Sequence, residues 1–202
     1  MPSNRQVIAI VDFENLIACA REILGLWQYC PSFVLKIIDT EIGKIISGQY
    51  ADCELSWKIT AFSSPRADDP RTRLDLERVQ KMAEAARQCG YMVLSVDREK
   101  DAADFAITEL GLGLLSDRDI KAVVFATNDS GISQDPQSET SFASFIRTVS
   151  RRARLHLVGF HYIPRSFGGE EEFPFSLLKD AVARRFQEIA AQRRGGHLCY
   201  QQ

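Results

Sequence analysis

The chain has 202 residues, 45% hydrophobic and 26% charged, a balance that suits one soluble domain with a sizeable core. Its net charge of −2 excludes a global basic field, so any polyanion site must rest on local clusters of its 25 Lys and Arg residues. Five scattered cysteines without a C-x-x-C, and three histidines away from ligand spacing, argue against a disulfide framework and a zinc site.

Strands and helices alternate along the chain. "QVIAIVD" (6–12) is a continuous β-branched apolar run, a strand buried on both faces. A helical pattern follows from Asn15 to Leu26, and a second helix after Pro31 carries Val34, Ile37, Ile38, Ile42, Ile45 and Ile46 to a stop near Gly48. "ELSWKITAFSS" (54–64) alternates as strand two. The next helix is framed by Asp69 with Pro70 at its start and Gly90 at its end. Strand three is "YMVLSV" (91–96), followed by a helix over 101–115; strand four is "KAVVFAT" (121–127), followed by a helix over 138–152. Strand five is "RLHLVGF" (154–160), and a last helix spans 174–193 with Phe186 and Ile189 on one side. That side packs on the domain or forms a homodimer face, and core packing is the expectation. The alternation predicts a parallel, doubly wound sheet with right-handed crossovers. Residues 1–165 are expected to form the main domain, with 166–202 a helix and tail on the same body.

Parallel strands deliver their C-terminal ends to one edge, where open α/β sheets place their sites. Three acids should reach it: Asp12 after strand one, Asp104 in the first turn of the helix after strand three, and Asp129 in "TNDSG" after strand four. Each has an ordinary explanation. Asp12 or Asn15 caps a helix, "NDSG" is turn composition, and Asp101 with Asp104 suits a helix N-terminus. Taken together they are harder to dismiss. The helix over 102–115 is apolar nearly all round, and its polar positions Asp101, Asp104 and Thr108 make one narrow stripe. Gathered carboxylates repel, and burial raises their pKa values unless a cation neutralises them. Mg²⁺ or Mn²⁺, hard ions that need one or two carboxylates and keep several waters, is the natural partner. Such ions activate water and stabilise the oxygens of a phosphodiester.

"VDFEN", "DAADFAITELG" and "ATNDSG", in this order and after successive strands, resemble the PIN/NYN-like nuclease superfamily, over about residues 6 to 160. The resemblance implies a three-layer α/β/α fold with a five-stranded, mainly parallel sheet, and acids that hold Mg²⁺ or Mn²⁺ to cleave single-stranded RNA. It assigns Asp12, Asp104 and Asp129 as metal ligands and Asn15 as the amide that orients Asp12, with Asn128 beside the third acid. The family's fourth acid is replaced by Ser133 or, in relatives of another pattern, by Gly131, while Asp135 lies close by.

The leading expectation is therefore an Mg²⁺/Mn²⁺-dependent endoribonuclease acting on single-stranded or loop RNA. Ser133 or Asp135 would reach the ion through water; Arg66, Arg71, Arg73 or Lys100 would steer phosphates. Phe13 is either a base-stacking ring or, as expected, core. The alternative is a degenerate PIN-like module that binds RNA or a protein partner without cleavage. A phosphohydrolase using Asp12 as nucleophile fits less well, since Glu14 stands where its second Asp belongs, and no Gly-rich nucleotide loop is present. No leader segment or membrane-length apolar run is visible, so a cytoplasmic, reducing setting with no membrane partner is expected.

Overall fold

The computed structural model describes residues 5–64, 72–97, 102–117, 120–128, 142–161 and 173–195. Strand β1 (Gln6–Val11) is the centre of the molecule. Its successive side chains point to opposite sides, so Val7, Ala9 and Val11 enter one apolar cluster, while Ile8 and Ile10 enter the other. A strand flanked by two cores has no solvent face, which is why its sequence is an unbroken apolar run.

Helix α1 (Phe13–Leu24) follows at once and ends at Gly25, whose φ of 65° is left-handed. A 3-10 turn (Leu26–Gln28) leads to α2 (Pro31–Gln49), with Pro31 at the first helical position, where its missing N–H costs nothing. Next come β2 (Glu54–Ser64), α3 (Thr72–Gln88), β3 (Met92–Asp97) and α4 (Ala102–Asp117). The chain continues through β4 (Ile120–Ala126), α5 (Phe142–Ser150), β5 (Arg154–Gly159), β6 (Phe175–Leu177) and α6 (Lys179–Gly195). The expected cap of α3 at Asp69 and Pro70 lies outside the described residues.

The sheet runs β3-β2-β1-β4-β5-β6, and every pair is parallel. Helices α1, α2, α3 and α6 contribute to one cluster, and α4 and α5 to the other. This is a three-layer α/β/α fold. The chain moves outward from β1 to β3 with helices on one face, then returns to β4 with helices on the opposite face. The reversal creates a topological switch point between β1 and β4, at whose carboxyl ends open α/β sheets bind their ligands.

The sheet has six strands rather than five. The span read as a single helix from residue 174 instead holds β6 and then α6. A three-residue strand is too short to display a period of two, and its pairing with β5 is invisible to local sequence. That pairing is supported by Leu157 N–H to Pro174 O (2.8 Å) and Leu178 N–H to Gly159 O (2.7 Å).

Helix α4, apolar nearly all round in sequence, is buried on one side only. Ile107, Thr108, Gly111 and Leu115 are buried, whereas Phe105, Glu109, Gly113 and Ser116 are exposed, because the helix has the sheet on one side and solvent on the other. Gly111 sets how closely it lies. A Cβ there would stand 2.5 Å from Ile10 Cδ1 and 3.1 Å from Phe145 Cε2, so the missing side chain is what seats α4 against β1 and α5.

His156 on β5 ties the sixth strand in. It is buried, with Nε2 2.8 Å from Ser176 Oγ and Nδ1 3.5 Å from the Tyr50 hydroxyl. Burial pushes its pKa below the usual 6.5. Above pH 6.5 the ring is neutral both folded and unfolded; as pH falls below that value the unfolded chain takes up the proton first, and stability is lost until the folded pKa is reached. Urea midpoints at two pH values, one above and one below this window, should differ more for the native chain than for His156→Gln.

Candidate functional site

Asp12 stands where β1 ends and α1 begins, at the switch point, and is 9% exposed. Its backbone N–H continues the ladder by donating to Ala126 O at 2.9 Å. Its Oδ1 accepts from the Asn15 backbone N–H at 3.1 Å, the bond of a helix N-cap. Its Oδ2 accepts from the Thr127 hydroxyl, just beyond β4, at 3.1 Å. The capping explanation of Asp12 is therefore correct as far as it goes. It does not exhaust the group, because Oδ2 is held by Thr127 of the neighbouring strand end and not by the helix.

Asn15 does a different job from the one expected. Its backbone, not its side chain, holds the Asp12 carboxylate. The side chain reaches across the switch point, and Oδ1 accepts from the Asn128 backbone N–H at 2.7 Å. A terminal amide can satisfy an orphan N–H on the neighbouring strand end only because β1 and β4 are adjacent, which the local sequence does not reveal. Asn128, 8% exposed, continues the chain of bonds. Its Oδ1 accepts from Phe160 N–H, and its Nδ2 donates to His161 O at 3.3 Å. Three strand ends, those of β1, β4 and β5, are thereby laced together by two asparagines.

Three further residues matter that sequence reasoning gave no role at the site. Thr127 is fully buried and holds Asp12. Glu14 turns its Oε2 to the Ser63 backbone N–H at 3.0 Å, bracing α1 against the end of β2. Gly159 allows β5 to approach the Thr127–Asn128 segment, since a Cβ there would sit 2.9 Å from Thr127 O and 3.2 Å from Asn128 Oδ1. The signal for Gly159 was present, because a glycine inside an apolar strand marks close backbone approach.

Asp104 lies in the first turn of α4, and its carbonyl accepts from the Thr108 hydroxyl at 2.8 Å. It is half-buried and heads the line of Thr108, Gly111 and Leu115 that faces the sheet. Asp129, Ser133, Asp135 and Asp101 lie outside the described residues, as do Arg66, Arg71 and Lys100 and the side chain of Arg73. Among the described residues, no group of three or more His, Cys, Asp or Glu side chains is placed to hold a metal ion. Phe13 is core, fully buried with its ring edge-on to Tyr91 at 5.0 Å.

The donors brought together at the switch point are carboxylate, hydroxyl and amide oxygens, a set that fits a hard divalent cation and not a soft one. The turn after β1 is also unlike that of dinucleotide-binding sheets. In place of glycines it carries Asp12 and Glu14, whose negative charges at the helix N-terminus oppose a pyrophosphate.

No family model and no curated protein matches the chain. One solved structure that matches is a putative dehydrogenase from Burkholderia cenocepacia with bound NADP, at 9% identity and a TM-score of 0.30, covering 96% of this chain and 67% of that one. The enzyme class expected from the sequence, an Mg²⁺/Mn²⁺-dependent ribonuclease, is not matched by this finding: the structure is described as a dehydrogenase. A likeness this faint carries no argument for an oxidoreductase here. Among the described residues, no helix is long and apolar enough to cross a membrane.

Proposed function

We propose that the chain is a PIN/NYN-like module that binds single-stranded RNA at the β1/β4 switch point without cleaving it, through an Mg²⁺ or Mn²⁺ ion held by Asp12. The observation that carries this reading is the Asp12 carboxylate itself. It is anchored from both sides by α1 and β4, at the edge where such sheets take their ligands. Asp104 and Asp129 are its companions on the motif resemblance, and RNA as ligand rests on the same resemblance. The ion would supply positive charge to a phosphodiester in a region whose described side chains are acidic or neutral. The protein's part is to fix the carboxylate, which the Asn15 and Asn128 bonds do by locking the strand ends. A cytoplasmic setting belongs to this reading; it is consistent with the free thiols at Cys19, Cys30, Cys53 and Cys89.

The test is fluorescence anisotropy of a labelled single-stranded RNA with Mn²⁺ or with EDTA. Binding should need Mn²⁺, and Asp12→Asn should weaken it about tenfold or more, the loss of one charged ligand contact being worth roughly 1.5–3 kcal/mol. Asparagine retains the cap, so the fold should survive. Binding indifferent to Mn²⁺ and to the substitution would sink the reading. Recovery of shortened RNA, in an amount that tracks Asp12, would refute its non-cleaving part.

A further inference from the structure

At the opposite edge of the sheet, where β4, β5 and β6 begin, a concave groove of about 830 Å³ is lined by Lys121, Arg151, Arg152 and Arg154, with Tyr50 and His156 at its floor. This lies at the far ends of the strands from Asp12, about 20 Å away for strands of six or seven residues at roughly 3.3 Å each. All four cationic side chains are exposed. None of the described lining residues is acidic, and none of the four cations makes an ion pair with a described carboxylate. In a chain whose net charge is −2, this concentration of positive charge is local.

The groove is also built, not merely decorated. The turn from α5 into β5 is fixed by Arg152 N–H and Ala153 N–H, both donating to Val149 O at 2.9 and 2.8 Å. That turn presents Arg151 and Arg152 side by side, while Arg154 and Lys121 come from adjacent strands that pair at Ala122 and Arg154. Arg152 Nη1 donates to Ser116 Oγ at 3.1 Å, which tethers the guanidinium and leaves other donors of its fork unspent. His156 adds no charge at neutral pH, because burial lowers its pKa.

We infer that this groove binds a compact ligand carrying two or three contiguous phosphates. Planar guanidinium forks match phosphate oxygens bidentately, and the volume falls in the range of roughly 300–1,000 Å³ typical of small-ligand pockets. The cations converge on one concavity at three strand ends and do not trail along the surface, which favours a compact oligophosphate over a nucleic-acid strand that needs a track.

The experiment is calorimetric titration of the full chain with inorganic tripolyphosphate in EDTA, which keeps any divalent-ion site out of the reading. Saturable binding should appear, and the double substitution Arg151→Gln with Arg154→Gln should weaken it at least tenfold. Arg184→Gln with Arg185→Gln, an equal charge change on α6, should leave it within twofold, and raising the salt should weaken binding to the native chain more than to the Arg151/Arg154 double variant. Circular dichroism of these surface variants checks that they fold. Absent binding, or binding that the double substitution leaves intact, overturns the inference. So does single-stranded RNA binding more tightly than tripolyphosphate with the same dependence on Arg151 and Arg154, which would make the groove an RNA track.

Discussion

Asp39→Ala should lower folding stability by about 3 kcal/mol, read as a fall in urea midpoint with unchanged slope. Asp39 on α2 is the hub of a polar cluster formed with Lys58, within β2, and Tyr91, just before β3. Its Oδ1 takes a 2.6 Å bond from Lys58 Nζ and a 2.9 Å bond from the Tyr91 hydroxyl. Lys58 also donates to Cys89 O at 2.7 Å and rides over the Tyr91 ring at 4.3 Å. The two charged side chains are 19% and 16% exposed, so water reaches them but does not fill in for a missing partner. Burial and the neighbouring carboxylate hold the Tyr91 phenol well above its usual pKa of 10, so it remains a donor at every pH the fold is used. Removing Asp39 strands an ammonium and a phenol together. Replacing the pair, Asp39→Leu with Lys58→Met, should recover much of the loss, because breaking one partner of a buried pair costs more than exchanging both for apolar groups. A double variant as unstable as Asp39→Ala would show that the cluster matters for its shape and not for its charge.

The cluster illustrates what local sequence can and cannot disclose. Strand β2 was legible over its whole length because Trp57, Ile59 and Ala61 alternate with polar positions, and β1 because its apolar run is unbroken. Gly90, which ends α3 at a φ of 84°, was legible as a stop because only glycine adopts that backbone without strain. Lys58 gave no sign of meeting Asp39, since that contact depends on how α2 lies across β2. The same limit hid β6. Its three residues become a strand only because β5 offers them hydrogen bonds, and nothing in Phe175, Ser176 and Leu177 alone outweighs the helical pattern that follows.

At the switch point the division is similar. An acid placed at the end of a buried strand was readable from sequence, and Asp12 stands there, held by α1 and Thr127. The role of Asn15 was not readable correctly, because the amide's partner, the Asn128 backbone, is 113 residues away in sequence and adjacent only after β4 pairs with β1. Sequence also treated helix cap and ligand position as rivals for Asp12. In the fold the cap takes one carboxylate oxygen and Thr127 the other, so capping alone does not account for the group.

Phe186→Ala should cost about 4 kcal/mol and shift one cooperative transition rather than create a second. Phe186 is 5% exposed, and its ring meets Tyr29 at 4.6 Å and, edge-on, Phe33 at 5.9 Å. Leu178 and Val182 lie fully buried in the same apolar cluster as Val7, Ala9 and Val11 of β1. Helix α6 therefore closes the face on which α1 and α2 rest, and it shares a core with the strand that ends in Asp12. For a chain of this length the loss corresponds to a fall of about 8–16 °C in Tm, measurable by calorimetry. If α6 were an independent appendage, the variant would show an early small transition with the main one unmoved. A single shifted peak is what the shared core demands, because the cavity left by the ring opens between Tyr29 and Phe33 inside the body that positions Asn15. Phe186→Leu, which refills most of that volume, should restore about half of the loss, separating packing from the edge-on ring contact.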